Sequence, residues 1–219
     1  MKEIARGAES VIYEEKNTII KDRLKKSYRI KELDDELRKQ RTRREANLLQ
    51  KVKIAHPKLI SSDDKEKIVM EKINGEKLRD ILDSQPGLAR RVGEMVAELH
   101  DQNIIHGDLT TSNMILCTEK GQKSPCMGLS EQSERMSHSF VNLCDERLVF
   151  IDFGLSFHSD KIEDKAVDIH LFKQALNSKH FKVYDEALAE FMKGYEKVNK
   201  HKAIMERLRA VELRGRYKH

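Results

Sequence analysis

Two short stretches of the chain set oxygen-bearing side chains against apolar runs. In the first, IIHGDLTTSNMILC at residues 104 to 117, His106, Asp108 and Asn113 lie between Ile104-Ile105 and Met114-Ile115-Leu116. Buried flanks can aim an acid and an amide at one point, although Gly, Asp, Thr, Ser and Asn also make ordinary surface turns. In the second, LVFIDFGLS, Asp152 ends a run of four apolar residues and precedes Phe-Gly. A carboxylate leaving a buried strand beside a glycine is held yet accessible. That suits a hard cation such as Mg²⁺, which prefers oxygen donors. Taken alone, a strand-ending Asp in a turn reads the same way.

The elements that must position these residues follow from patterning. Residues 1 to 23 read as short strands, with SVIY and NTIIK joined by the polar EEKN turn. The charged segment KELDDELRKQRTRREANLLQKV predicts a helix, in one or two pieces, with Leu33, Leu37, Ala46, Leu49 and Val52 as its apolar positions. His56-Pro57 ends it, SSDDKE turns a hairpin, and Gly75 precedes a short helix. From Gly87 onward, Val92, Met95, Val96 and Leu99 recur at helical spacing and deliver His106 and Asp108 from the far end.

Residues 118 to 146 are polar, Ser-rich and aperiodic, and read as a mobile insertion. RLVFIDFG then resumes the core. Val167, Leu171 and Ala175 predict one helix, and Tyr184, Leu188, Phe191, Tyr195 and Val198 another. From Lys200 the chain reads as a basic tail, with Lys202, Arg207, Arg209, Arg214, Arg216 and Lys218 against Glu206 and Glu212. The order predicts an α+β, two-lobed protein: a small antiparallel sheet and long helix over 1–73, a mostly helical lobe over 74–200, and the tail over 201–219.

A net charge of +5 over 219 residues admits a polyanionic partner, or simply a basic solvated surface. Cys117, Cys126 and Cys144 are odd in number and irregular in spacing, which argues against a disulfide framework and for a reducing compartment. With no C-x-x-C or H-x-x-x-H pair, they and His138 make no zinc pattern. MKEIARGAES lacks an apolar signal region and no run approaches the ~20 residues of a membrane span. An intracellular protein is expected, cytoplasmic and, in a eukaryote, also nuclear.

HGDLTTSN followed by a hydrophobic strand and DFG resembles the H-x-D-L-x-x-x-N and D-F-G elements of protein kinases. That chemistry also needs an ammonium for phosphate charge and an acid to brace it. Lys25 and Glu36 compete on composition, but strand context favours Lys21 in TIIKDR, and the apolar ANLL after Glu45 favours that acid. RGAESVIY offers Gly7 alone where kinases have a glycine-rich loop, leaving the amides of Gly7, Ala8, Glu9 and Ser10 to face a phosphate. Gly107 stands where kinases usually carry Arg, and Thr110 where many carry Lys. Only LSFHSDKIEDKAV separates Gly154 from Asp168, so the activation segment and A-P-E element are missing. With GAES, YRIKELDDELRKQRTRREANLL, EDKAVDIHLFKQAL and RLRAVELRGRYKH, the chain resembles the small atypical kinases of the KEOPS complex, the PRPK family, over nearly its whole length outside 118 to 146.

That resemblance implies a two-lobed kinase-like fold with a reduced C-lobe, using ATP and Mg²⁺. It implies Asp108 as the catalytic acid-base group, Asn113 and Asp152 as metal ligands, and Lys21, braced by Glu45, on the phosphates. The linker backbone at Glu71 and Ile73 would bind adenine, and Asp168 would support the catalytic loop. It further implies serine/threonine kinase or ATPase activity serving threonylcarbamoyl-adenosine formation on tRNA, with the threonylcarbamoyl-transferase subunit as chief partner and tRNA contacts through the basic tail and helix. The competing expectations are a catalytically weak kinase-like scaffold and a small-molecule phosphotransferase.

Overall fold

The structure, a computed structural model, describes residues 1–117 and 147–216, so the expected insertion at 118 to 146 lies outside the described residues, as do Cys126, His138 and Cys144. Strands β1 (Lys2–Arg6), β2 (Ser10–Glu15) and β3 (Thr18–Arg23) form successive hairpins. Helix α1 (Lys31–Leu49) leads to β4 (Leu59–Ser62) and β5 (Lys67–Glu71), and the five strands make one antiparallel sheet in the order β1-β2-β3-β5-β4.

Helix α1 is one continuous helix, and its buried face differs from the expected one. Leu33 is 54% exposed, whereas Asp34, Arg38, Thr42 and Glu45 are buried. Their spacing of three and four puts them on one face of the helix. Arg38 donates to Asp34 Oδ2 at 2.9 Å and also pairs with Asp35 and Glu66, while Thr42 Oγ1 donates to the Lys65 carbonyl at 3.2 Å. The first half of the helix is thus held by hydrogen bonds and ion pairs, and only Ala46, Leu48 and Leu49 reach the apolar core. Mutually satisfied charges can occupy such a face because each desolvated group has its partner.

The remainder is mostly helical. β6 (Glu76–Lys77) and α2 (Leu78–Ile81) lead to α3 (Leu88–Asp101), then β7 (Ile104–Ile105), a 3₁₀ turn (Thr111–Asn113) and β8 (Met114–Cys117). β9 (Arg147–Phe150) pairs with β8 in register Met114↔Phe150, and β10 (Phe157–His158) pairs with β7. Helices α4 (Ile162–Lys179), α5 (Tyr184–Tyr195) and α6 (His201–Arg216) finish the chain.

α3 and α5 touch backbone to backbone. A Cβ on Gly93 would lie 2.1 Å from the Phe191 carbonyl oxygen, and one on Gly194 would lie 2.0 Å from that of Arg90. Two sequence expectations are corrected here. α4 buries Ala166, Ile169, Phe172 and Leu176, while Val167 is exposed and Leu171 and Ala175 are only half-buried. The expected tail is instead a helix through Arg216 that buries Ile204 and Leu208. It is pinned to α4 by Arg207 and Arg214, which share Glu163, and by Lys173 with Glu212.

Candidate active site

The site begins on β3. Alternation along a strand sends Lys21 and Arg23 to the same side, where α1 presents Glu45. Lys21 Nζ donates to Glu45 Oε1 at 2.8 Å and to Asp152 Oδ1 at 2.6 Å, and Arg23 Nη2 donates to Glu45 Oε2 at 2.5 Å. Lys21, Arg23 and Glu45 are buried, while the Asp152 side chain is about half exposed. Burial would lower the Lys21 pKa, but the Glu45 and Asp152 charges outweigh it and hold the ammonium above its usual value. Burial likewise opposes ionisation of Asp152, and the Lys21 charge beside it keeps that carboxyl below the ordinary range. Lys21 and Glu45 therefore meet as expected. Lys25 and Glu36 lie elsewhere, on a separate acidic-and-basic groove.

Asp152 has φ of +62°, a left-handed conformation rare for a residue with a side chain and often concentrated at functional sites. Its neighbour Gly154 donates its N–H to Asp152 Oδ1 at 3.2 Å. A Cβ at Gly154 would sit 2.9 Å from Lys21 Nζ, 3.1 Å from Asp152 Oδ1 and 3.4 Å from Glu45 Oε2. The glycine thus lets the chain lie flat over the charge cluster.

The loop after β7 supplies the other half. Asn113 Nδ2 donates both to the Asp108 carbonyl at 2.9 Å and to Asp108 Oδ2 at 2.8 Å. The Ile151 N–H donates to the Asn113 carbonyl at 2.9 Å, which ties this loop to the segment carrying Asp152. Beneath it, Asp168 of α4 is fully buried. Its Oδ2 accepts the His106 N–H and its Oδ1 the Gly107 N–H, each at 2.9 Å, while His100 Nε2 lies 3.2 Å from Oδ2 and His100 Nδ1 lies 2.6 Å from Tyr195 Oη. Burial opposes the Asp168 charge, but the His100 hydrogen bond and these N–H groups keep its pKa lowered. His106 is also fully buried, and burial lowers its pKa against the pull of Asp168, Asp152 and Asp108. A neutral imidazole can then accept the Asp108 N–H at Nδ1, 3.3 Å away.

Other expected positions are less directly placed. Gly7 to Glu9 form the β1–β2 turn, but the Gly7 N–H is already given to the Ser10 carbonyl at 2.9 Å, which removes it as a free phosphate donor. Lys26 binds the Ala8 carbonyl, and Glu9 pairs with Arg41 of α1 at 2.5 Å. Glu71 ends β5 with its N–H on the Lys58 carbonyl at 2.9 Å, and Ile73 lies, half-buried, in the linker to β6.

Sequence reasoning missed Arg23 as the second cation on Glu45, although its position two residues after Lys21 was a readable signal. It also missed His100 and Tyr195, whose link to Asp168 joins residues distant in the chain and leaves no local pattern. Because Asn113 spends its amide nitrogen on Asp108, its Oδ1 remains for a cation. Among the described residues, no three His, Cys, Asp or Glu side chains form a metal cluster. One carboxylate and one amide oxygen fit Mg²⁺, which completes its shell with phosphate oxygens and water.

No family model matches the chain. It is 38% identical over 240 residues to "KEOPS complex subunit Bud32" of Pyrococcus abyssi, covering 100% of this chain and 97% of that protein. It is 40% identical to a "Probable bifunctional tRNA threonylcarbamoyladenosine biosynthesis protein" of Methanobrevibacter smithii, aligning with 37% of that longer protein. Among solved structures it resembles WaaP in complex with acyl carrier protein, with a TM-score of 0.61 at 15% identity over 99% of this chain and 87% of that one. It also resembles the Rio2 kinase–ADP/Mg²⁺–phosphoaspartate complex from Chaetomium thermophilum, with a TM-score of 0.55 at 15% identity over 100% of this chain and 72% of that one. The fold is therefore protein-kinase-like, and the chain belongs to the Bud32 family of KEOPS complex subunits.

Proposed function

We propose that the protein is an Mg-ATP-dependent phosphotransferase or ATP hydrolase that acts within the KEOPS complex in threonylcarbamoyl-adenosine modification of tRNA. The supporting observation is the single ammonium of Lys21 bonded to both Glu45 and Asp152 beside the Asp108–Asn113 pair. In this reading Lys21 neutralises phosphate charge, and Glu45, itself held by Arg23, fixes the ammonium. Asp152 and the Asn113 oxygen hold Mg²⁺, and Asp108 accepts the proton of the attacking hydroxyl or water. Bound Mg²⁺ would supply charge neutralisation on the phosphates. Ala8, Glu9 and Ser10 cover the phosphates, and the linker through Glu71 and Ile73 receives adenine.

Phosphoryl transfer needs positioning and electrostatics more than covalent chemistry from the protein. The buried Asp168 supports that positioning by fixing the His106 and Gly107 backbone ahead of Asp108. Only seven residues separate Gly154 from α4, too short a platform for docking a peptide in the usual kinase manner. That favours water, or a hydroxyl of the chain itself or of a fixed partner, as acceptor. The test is ATP turnover by wild type and Asp152→Ala, alone and with the partner transferase subunit and tRNA. Turnover that requires Asp152 is expected. Undiminished turnover by Asp152→Ala would overturn the assignment.

A further inference from the structure

Helix α4 meets the catalytic loop twice. In its first half Asp168 holds the His106 and Gly107 N–H groups, ahead of Asp108. At its far end His180 reaches the same loop beyond Asp108. The His180 ring is fully buried, with Nε2 2.9 Å from Thr111 Oγ1 and Nδ1 2.6 Å from Asp83 Oδ1. Thr111 is buried too, whereas the Asp83 side chain, just past α2, is about half exposed. Residues distant in the chain thus make one run of hydrogen bonds from the loop, through a buried imidazole, to the surface.

The direction of those bonds follows from the carboxylate. An ionised acid only accepts, so Nδ1 carries a proton and donates to Asp83. In the neutral ring Nε2 is then an acceptor, and the Thr111 hydroxyl donates to it. The backbone that carries the ring is fixed in turn. His180 caps α4, its N–H donating to the Leu176 carbonyl at 2.7 Å and its carbonyl accepting the Val183 N–H at 3.1 Å.

Thr111 opens the 3₁₀ turn that ends at Asn113, whose Oδ1 is left for a cation. The turn is weakly held by its own bonds. Thr110, which precedes it, provides no side-chain cap, and the Asn113 N–H donates to the Thr110 carbonyl at 3.0 Å. Such short 3₁₀ pieces have poor hydrogen-bond geometry. The Asp108–Asn113 bonds are internal to the loop and would travel with it. Asp168 and His180 instead tie the loop to a helix, one on each side of Asp108.

We propose that His180 and Asp83 are positioning residues that hold Thr111, and through its turn the Asn113 oxygen, in place for Mg²⁺ and phosphoryl transfer. The inference rests on the Mg-ATP reading above. Neither residue touches the reacting groups; a small displacement of the ligand oxygen is what they prevent, and misplacement on the scale of 1 Å costs about 10² in rate.

His180→Ala would leave a cavity at the end of α4, so the test uses Thr111→Val, which keeps the side-chain shape and removes the hydroxyl. Thr111→Ser is the conservative restoration, and Asp83→Ala cuts the run at its exposed end. ATP turnover across a Mg²⁺ series, alone and with the partner transferase subunit, is measured beside amide hydrogen exchange over residues 108–114 of the full chain. Thr111→Val should lower kcat about tenfold and raise the Mg²⁺ needed for half-maximal turnover by a similar factor, as expected when the support behind a metal ligand is lost. ADP affinity with the metal chelated should stay within about twofold of wild type. Asp83→Ala should show the same pattern more weakly, and Thr111→Ser should recover most of the loss. Exchange over 108–114 should quicken in Thr111→Val and not elsewhere.

Wild-type kcat and Mg²⁺ dependence in folded Thr111→Val would overturn the proposal, as would an equal loss in Thr111→Ser. A lowered thermal midpoint with kcat intact would overturn it too, leaving His180 a purely structural residue. Absence of turnover in wild type would sink the phosphotransfer reading instead. The exchange measurement needs no turnover, and unaltered exchange in Thr111→Val would sink the positioning role by itself.

Discussion

Lys21 Nζ and Asp152 Oδ1 lie 2.6 Å apart although 131 residues separate them in the chain. Through this contact, one side chain of the five-stranded sheet holds the acid that follows β9, and the same ammonium reaches Glu45 on α1. Three elements thus converge on one cation.

Lys21→Met should remove that convergence. It strips a partner from buried Glu45, which keeps only Arg23, so unfolding stability should fall by about 2–3 kcal/mol, below the full cost of orphaning a buried charge. ATP turnover should drop by about 10² or more, since an aimed charge on the phosphates is lost. Urea unfolding and phosphate release check the two effects separately. Wild-type turnover in a folded Lys21→Met protein would contradict the role given to the ammonium.

Gly154→Ala probes the same cluster without removing a charge. The new Cβ would intrude at 2.9 Å on Lys21 Nζ and 3.1 Å on Asp152 Oδ1, flexible ends that can move aside. Turnover should fall while the thermal midpoint changes little. Gly93→Ala should do the reverse. Its Cβ meets the Phe191 carbonyl oxygen at 2.1 Å, where only the α3–α5 packing can give, and a loss of about 3 kcal/mol is expected. Equal midpoints for both variants would refute the distinction.

Asp168→Asn tests the support under the catalytic loop. The carboxylate accepts two backbone N–H groups and lies against His100, and an amide supplies only one acceptor. The variant should keep its nucleotide affinity, lose about tenfold or more in kcat, and lose about 2–3 kcal/mol of stability. Weakened nucleotide binding with unchanged kcat would assign Asp168 a different part.

A pH dependence follows from His106. Its folded pKa lies below the ordinary 6.5, so the folded state binds fewer protons than the unfolded state in that region. Stability is therefore complete above about 6.5 and declines as the pH falls from there through the folded value. Asp168 acts in the same direction further down. Its lowered pKa gives stability that is present above 3.8 and is lost as the pH falls through the folded value. His106→Asn, which keeps an acceptor near the Nδ1 position, should flatten the first of these declines. Chemical denaturation from neutral pH to about pH 5 would show it, and an unaltered slope would remove His106 as the cause.

The residues best read from sequence were those packed into short contiguous stretches. Asp108, Asn113 and Asp152 each sit beside an apolar strand whose burial needs no distant partner to be recognised. Lys21 and Glu45 were legible through their local settings, one in a strand and one before an apolar turn of helix. Three faces were misread for a common reason. Leu33 and Leu37 looked like the inner stripe of α1, but an ion-pair network of Asp34, Arg38 and Glu66 took that place, and hydrophobic periodicity cannot reveal mutual satisfaction of charges. In α4, apolar residues occur on more than one face, so Val167 was as good a candidate as Ile169 until α6 and the catalytic loop chose between them. The C-terminal helix hid behind its charge, since Ile204 and Leu208 are few among many basic residues.

The central claim is tested most directly by ADP affinity measured calorimetrically with Mg²⁺ and with the metal chelated, in wild type and Asp152→Asn. Mg²⁺ should tighten wild-type binding by about tenfold or more and leave the variant nearly unaffected, because the metal's carboxylate ligand is gone. An equal Mg²⁺ enhancement in both proteins, or no ADP binding by wild type, would contradict a magnesium nucleotide held between Lys21, Asn113 and Asp152.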